Sequence, residues 1–239
     1  MPALLTPFGA TEFENIGLGA PTLEAGIAFL HDKTGLMAMP LPAPDDAPNL
    51  SAVLHTHSGA VIEVIAPNPD HKGLNHLGAE LSKLRLPELI IWSVQVRDFD
   101  IASDLVAQLN HPVEVVQAHH IDVDGFRQSM KVGRMGPGED MTRPFLTCHD
   151  VPPVYPVARD PQCLATALHL THWEVPPLNR LLDGLGLGLR ATPGAPSLRL
   201  DLETPKGPVT LESGAWVKGG MGQIMGRVGR HVRHMFARK

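Results

Sequence analysis

The sequence predicts an α+β fold built from repeated βαβββ units. Apolar runs of strand length alternate with amphipathic helical segments, in the order strand, helix and three strands. This order occurs three times, and the three helices start at Leu23, Phe99 and Val175, which are 76 residues apart each time. The 239-residue chain is 43% hydrophobic and 19% charged, so it can bury a substantial core. Equal spacing with the same element order indicates internal repetition.

The first unit, residues 12–67, opens with the strand-like run EFENIGLGA. Thr22 is the predicted N-cap of the helix that follows, because its hydroxyl can accept a hydrogen bond from the first turn. Gly35 is the predicted stop of that helix. Three strand-like runs, GLMAMPL, SAVLHTH and AVIEVIA, complete the unit.

The second unit, residues 89–150, and the third, residues 163–214, repeat this order. Asp98 can cap the second helix, and Pro176 with Pro177 suits the first turn of the third. Proline-rich stretches separate the units, which is typical of connecting segments. The sequence therefore predicts three βαβββ units, of which the third is only similar to the other two.

Two long stretches carry a resemblance to a known family. NIGLGAPTLEAGIAFLHDKTG, followed by AVLHTHSGAVIEVIAPNP, resembles the opening module of glyoxalase-like proteins of the vicinal oxygen chelate (VOC) superfamily. RPFLTCHD, and ALHLTHWEVPPLNRLLDGLGL with LETPKGPVTL, are similar to later parts of the same subfamily. The resemblance implies cupped mixed and antiparallel sheets around a pocket, formed by the first two modules, with the third as an added lobe.

Glu63 is the one charged residue in the apolar run 60–66. The resemblance implies that the first and fourth strands of each module hold a divalent metal, and Glu63 matches the carboxylate ligand position. Asn15 stands where the family commonly has His. Glu63 is therefore expected to be a metal ligand or a general base, with Asn15 orienting a substrate oxygen. The alternative is a structural hydrogen bond between Asn15 and Glu63 without any function.

The second unit offers few metal ligands at the corresponding positions, which are Ile91 or Trp92 on its first strand and Cys148 or His149 on its fourth. Any metal is therefore expected to be hard, oxygen-liking and weakly bound, such as Mg²⁺, Ca²⁺ or Mn²⁺. Trp92, Cys148, His149 and His169 are expected to line the substrate site.

Other reactive side chains carry weaker predictions. His55 and His57 alternate, so they share a face of one strand, but the sequence leaves open whether this face meets the pocket or solvent. Cys148, His149 and Asp150 are consecutive, so they cannot form a nucleophile triad on a strand. Cys148 is expected to be a structural cysteine.

The resemblance implies a small-molecule enzyme of lyase, isomerase or dioxygenase type that acts on a small oxygen-rich compound. A non-catalytic protein that binds a small ligand on the same scaffold is the alternative. The low aromatic content of 5% and the net charge of −5 argue against a nucleic-acid partner.

Localisation and assembly are predicted from simple features. The start of the chain does not resemble a secretory signal, and there is no apolar run of bilayer length, so a cytoplasmic protein without a transmembrane segment is expected. Three units leave one without an internal partner, which is compatible with a homodimer.

The C-terminal segment, residues 217–239, is basic and contains no acidic residue. We expect either a frayed tail or a helix that docks on the acidic body of the same chain. A basic amphipathic helix on an anionic membrane or on nucleic acid is the alternative.

Overall fold

The computed structural model describes residues 11–44, 46–57, 59–73, 76–121, 126–135, 140–151 and 162–214. The helices are α1 (Leu23–Thr34), α2 (His76–Leu81), α3 (Phe99–Gln108) and α4 (Val175–Gly184). The strands are β1 (Thr11–Gly19), β2 (Met39–Pro40), β3 (Asn49–His55), β4 (Val61–Pro67), β5 (Glu88–Val96), β6 (Val113–Ile121), β7 (Arg127–Met135), β8 (Phe145–His149), β9 (Leu164–His172), β10 (Ala191–Pro193), β11 (Ser197–Thr204) and β12 (Gly207–Glu212). The predicted basic segment 217–239 lies outside the described residues.

The helix ends follow from local sequence. Thr22 accepts a hydrogen bond from the Ala25 amide, and Gly35 ends α1 with φ of 78°, a left-handed conformation that costs glycine little. Asp98 accepts hydrogen bonds from the first-turn amides of α3, and prolines fill the first turn of α4. Helices α1, α3 and α4 begin at Leu23, Phe99 and Val175, as their 76-residue spacing predicts.

The first two units form one mixed sheet of eight strands in the order β2-β3-β4-β1-β5-β8-β7-β6. Within each unit the first strand runs parallel to the fourth, so β1 pairs with β4 and β5 with β8. The two first strands, β1 and β5, pair antiparallel at the centre of the sheet. The fold class is therefore α+β with mixed sheets, as the repeats predict.

The third unit has the predicted element order but a different strand pairing. Its four strands form a separate sheet in the order β10-β9-β11-β12, in which the first strand lies between the second and the third. The first strand is parallel to the short β10 and antiparallel to β11. The repeat in sequence therefore extends to the element order of this unit, while its strand pairing differs from that of the first two.

One continuous core joins the two sheets. Ile16, Ile62 and Trp92 on one face of the eight-stranded sheet pack in the same cluster as Val106 of α3 and Leu200 of β11. Fully burying each apolar side chain of this size contributes about 2 kcal/mol. The opposite face of the eight-stranded sheet, which we call the site face, is covered in part by α2, whose Leu81 packs on the sheet.

A buried ion pair fixes the third unit to the second. His172, at the end of β9, places Nε2 3.2 Å from Asp140 Oδ2, and Arg143 Nε lies 2.8 Å from the same oxygen. Burial by itself would raise the pKa of Asp140, but hydrogen bonds from His172 and Thr142 and the attraction of His172 and Arg143 outweigh it and lower the pKa.

Replacement of Asp140 by Asn should destabilise the protein at neutral pH. Removing one charge from a buried pair leaves the other charges without compensation, at a cost of about 3 kcal/mol. The folded-state pKa of Asp140 is lowered from 3.8, so its contribution is present above pH 3.8 and is lost as the pH falls through the lowered pKa. Urea unfolding at pH 7 and at decreasing pH should show the wild-type advantage shrinking in acid. An advantage that is absent at pH 7 would contradict the account.

Candidate active site on the eight-stranded sheet

A β-bulge places two consecutive side chains of β1 on the site face. Phe13 pairs with Val94, whereas Asn15 pairs with Ser93, so Glu14 is an extra residue in the ladder. Phe13 stacks on Trp92 in the core, with ring centroids 6.0 Å apart. The bulge lets Glu14 and Asn15 both reach Ser93, as bulges commonly re-aim side chains.

The structure brings the two predicted residues Asn15 and Glu63 together. Asn15 Nδ2 donates to Glu63 Oε2 at 2.9 Å, and Asn15 Oδ1 lies 2.7 Å from the hydroxyl of Ser93. Glu63 pairs with Gly17 across the parallel ladder. A Cβ at Gly17 would lie 2.5 Å from Ile91 Cγ1, so glycine is required for this close approach.

Glu14 is the centre of a second, more deeply buried group. The hydroxyl of Ser93 lies 2.9 Å from Glu14 Oε2, and Thr147 Oγ1 also donates to this oxygen. His149 Nε2 pairs with the other oxygen, Oε1. The His149 side chain is only 2% exposed and that of Glu14 only 6%, so this is a buried ion pair when His149 is protonated.

The two carboxylates have pKa values that move in opposite directions. For Glu14, burial alone would raise the pKa, but the hydrogen bonds and attraction of His149, with Thr147 and Ser93, lower it below the ordinary value of 4.5. For Glu63, burial raises the pKa, and the charge of Glu14 adds to this, against a hydrogen bond from Ser51. At neutral pH Glu14 is therefore held ionised, whereas Glu63 binds a proton more readily than an ordinary Glu.

The strand registers identify which residues of the two units are equivalent. Ile16 and Trp92, which are 76 residues apart, pair directly in the β1–β5 ladder. The ladder has a second irregularity between Gly17 and Leu18, and there Ile90 is the extra residue. The extra residues Glu14 and Ile90 are again 76 residues apart. The two units are thus related by a pseudo-twofold axis through the pair Ile16 and Trp92.

This symmetry assigns the metal-ligand positions of the second unit. Asn15 corresponds to Ile91, and Glu63, which pairs with Gly17, corresponds to Phe145, which pairs with Ser93. Of the two sequence-based alternatives for the first strand, Ile91 and Trp92, this register corresponds to Ile91. The fourth-strand position in this register is Phe145 instead of Cys148 or His149.

The described residues therefore do not fit the metal that the family resemblance implies. Two apolar side chains at the second unit's positions leave one carboxylate and one amide, too few donors for a divalent cation site. Nor does any group of three or more His, Cys, Asp or Glu residues with the arrangement of a metal site occur within the described ranges. The buried side chain that pairs with Glu14 Oε1 is that of His149.

The same symmetry explains why one end of the site face is polar and the other apolar. Glu14 and Thr147 lie at one end, and their equivalents at the other end are Ile90 and Ile65. Ile65, Ile90 and Leu81 form a small apolar cluster there. The site face thus offers a polar group of side chains beside an apolar surface.

The other predicted site residues lie elsewhere. Trp92 is fully buried in the core, where its indole Nε1 donates to the Thr142 carbonyl at 3.1 Å. Cys148 packs against the core on the opposite face from His149, with Sγ 3.9 Å from the Arg97 carbonyl oxygen. His169 lies on the outer face of the four-stranded sheet, where Nε2 is 2.8 Å from Asp201 Oδ2. Of the predicted residues, only His149 joins Asn15 and Glu63.

The two alternating histidines separate at the end of β3. His55 pairs with Val61 and shares the site face with Val53, which pairs with Glu63. His57 lies beyond the strand and is exposed, and its amide donates to the Cys163 carbonyl at 2.6 Å. His55 is therefore the histidine of this pair that faces the side of Glu63.

Glu14 is the residue that sequence reasoning missed. Strict alternation from Asn15 and Gly17 places Glu14 on the core face. A signal was present, because the core-facing residues Phe13, Ile16 and Leu18 are separated by three and then two positions. In β5 the corresponding Leu89, Trp92 and Val94 show the same spacing.

Three solved structures of low sequence identity are similar to this chain. A triple mutant of 4-hydroxymandelate synthase from Streptomyces coelicolor aligns with 85% of this chain and 63% of its own, at 12% identity and a TM-score of 0.52. A hypothetical protein from Staphylococcus aureus aligns with 85% of this chain and 86% of its own, at 10% identity and a TM-score of 0.51. Methylmalonyl-CoA epimerase from Mycobacterium tuberculosis covers 61% of this chain and 91% of its own, at 17% identity and a TM-score of 0.42.

The chain has the VOC-type fold. The synthase has this fold and aligns with most of this chain, although this chain spans only 63% of the synthase's length. No family model matches the sequence, and no curated protein matches it. Membership of the glyoxalase-like subfamily stays a prediction. None of the described helices is both long enough and apolar enough to cross a membrane.

A matched pair of substitutions should separate the two carboxylates. Glu14→Gln keeps the hydroxyl contacts but removes the charge beside His149, and should lower the free energy of unfolding at pH 7 by about 2 kcal/mol, the scale of a hydrogen bond to a charged group. Glu63→Gln should be neutral or stabilising, because it avoids burying a charge.

The pH dependence of the two variants should also differ. The contribution of Glu14 is present above pH 4.5 and is lost as the pH falls through its lowered pKa. The contribution of Glu63 has the opposite sign, since a raised pKa favours folding below pH 4.5 and less so as the pH rises through the folded-state value. Urea unfolding between pH 3 and pH 8 measures both. Equal effects of the two substitutions would contradict the assigned environments.

Proposed function

We propose that this protein is a small-molecule enzyme in which Glu63 transfers a proton without the help of a bound metal ion. The proposal rests on the two carboxylates Glu14 and Glu63, which Asn15 and Ser93 connect through hydrogen bonds. Their environments shift their pKa values in opposite directions. Such separation is typical of sites in which one acid is held charged and the other exchanges a proton. The substrate class expected from the sequence is a small oxygen-rich compound, such as an α-keto or α-hydroxy acid or a thiol adduct.

Access favours Glu63 as the proton-transfer group. Glu63 and Asn15 are partly exposed on the site face, whereas Ser93 and Thr147 are buried. In this proposal a substrate contacts Glu63 and Asn15, and not the buried Ser93 and Thr147. The raised pKa of Glu63 brings this carboxyl closer to neutrality, where a general acid–base group is most effective.

The reaction that fits this group is proton exchange at a carbon next to a carbonyl. The C–H bond breaks, its proton moves to a carboxylate oxygen of Glu63, and the electron pair of the bond moves towards the carbonyl oxygen. Return of a proton from Glu63 to the same carbon restores the compound, with its α proton exchanged for one from solvent. Asn15 holds the Glu63 carboxylate in place by its 2.9 Å hydrogen bond.

Glu14 serves as the fixed anchor of the site in this proposal. Its ion pair with His149 and its contact with Ser93 connect β1 to β5 and β8. Because Ser93 also contacts Asn15, the position of Asn15 depends on Glu14. Glu14 is thus a positioning residue.

Non-catalytic binding of a small ligand is the second candidate function. It is favoured by the closed character of the polar group, in which the hydrogen bonds of Asn15, Ser93 and Glu14 are made to each other. In that case Glu63 contributes affinity and no turnover.

The test is proton exchange measured by ¹H NMR in D₂O. Wild-type protein, Glu63→Gln and the control Glu88→Gln are each incubated with a panel of α-keto acids, α-hydroxy acids and thiol adducts, with and without a chelator. Glu88 is a suitable control, because burial also raises its pKa, but it lies at the far end of β5 beside Gly214.

We expect wild type and the control to exchange the α proton of at least one compound, with the chelator making no difference. Glu63→Gln should fold normally and lose ~10²-fold or more of the exchange rate. Binding without exchange in all three proteins, with an affinity change only in Glu63→Gln, would support the second candidate. An exchange rate in Glu63→Gln equal to that of wild type would contradict the proposed role of Glu63.

A further inference from the structure

The two sheets in the described part of the chain end in four edge strands, which differ in length and in proline content. The eight-stranded sheet ends in β2 and β6, and the four-stranded sheet ends in β10 and β12. An edge strand exposes backbone N–H and C=O groups that can pair with another chain, so stable proteins usually make their edges short or interrupt them with proline.

Three of the four edges are protected in this way. Strand β2 has two residues and ends in Pro40, and β10 has three residues and ends in Pro193. Strand β12 has six residues, and Pro208 is its second. Proline has no N–H group, and very short strands offer few backbone groups to a partner.

Strand β6 has none of these protections. It comprises nine residues, VEVVQAHHI, without proline or lysine. Its ladder with β7 runs from the pair of Val113 and Met135 to the pair of Ile121 and Arg127 without a bulge. Roughly half of its backbone groups point away from β7, because the hydrogen-bonding direction alternates along an antiparallel strand.

The side chains of β6 suit a second copy of the same strand. Val115 is 51% exposed, and Gln117 and His119 are exposed beside it on the same face. Within 113–119, the only carboxylate is that of Glu114, which pairs with Arg134 of the same chain at 3.0 Å. Two copies of β6 can therefore approach without bringing unpaired like charges together. An antiparallel pair of identical strands also obeys a twofold axis, so the assembly closes as a dimer.

We propose that β6 is a homodimer interface, in which it pairs antiparallel with β6 of a second copy to join the two eight-stranded sheets. The inference is independent of the chemistry proposed for Glu63. It requires only that the edge of β6 is free in solution.

The test compares two double variants that make equivalent changes at different surfaces. Val115→Lys with Gln117→Lys places charges on the proposed edge, where lysine opposes strand pairing. Ile101→Lys with Gln108→Lys is the control, since Ile101 is 69% exposed and Gln108 is exposed on α3. Light scattering after size exclusion gives the mass of each protein from about 1 to about 200 μM, a range chosen because a single strand pair is a small and weak interface.

We expect wild type and the control to reach twice the chain mass of 25.8 kDa at high concentration, and the β6 variant to stay monomeric. Hydrogen exchange on the wild type provides a second measurement that does not depend on a variant. Alternate amides of β6 should exchange more slowly at dimer-forming concentrations than in dilute solution. A wild-type protein that is monomeric throughout, or a dimer that both variants keep equally, would overturn the proposal.

Discussion

The antiparallel ladder between β1 and β5 carries one extra residue on each strand, Glu14 and Ile90, and the arrangement of the site face depends on these two bulges. Without the bulge in β1, Glu14 would point into the core beside Ile16, where an unpartnered carboxylate is very costly. With it, Glu14 meets His149 and Thr147 on the site face. At the equivalent position the bulge in β5 presents Ile90, which packs with Ile65 and Leu81.

The chemical consequence is that a symmetric framework carries an asymmetric site. The fold relates Asn15 to Ile91 and Glu63 to Phe145, yet polar side chains occupy only the first unit's positions. The partner of Glu14 in the site is a protein group, His149, and the more accessible carboxylate, Glu63, has a raised pKa. This combination is what makes metal-free proton transfer the function that the site supports best.

The sequence predicts the features that depend on neighbouring residues. The helix starts at Leu23, Phe99 and Val175 and the caps Thr22 and Asp98 are encoded locally, and each occurs in the structure. The meeting of Asn15 and Glu63 also follows from pairing of the first and fourth strands. The partners of Glu14 depend on a bulge, and a shift of one position moves a side chain to the other face of the sheet.

Long-range pairing limits prediction in the same way. The element order of the third unit is readable from the sequence, but the position of β9 between β10 and β11 is set by contacts between distant segments. For the same reason Trp92 was expected beside a substrate and lies in the core, since the face of β5 depends on the bulge at Ile90.

Two carboxylates in one sheet, Glu14 and Glu63, have opposite environments, and a ¹³C NMR titration of the Glu side-chain carboxyl groups measures this difference. Glu14→Gln and Glu63→Gln assign the two resonances. We expect Glu14 to titrate below the ordinary value of 4.5 and Glu63 above it, with the Glu63 midpoint moving downward when Glu14 is neutralised. Identical midpoints, or a Glu63 that titrates below Glu14, would contradict it.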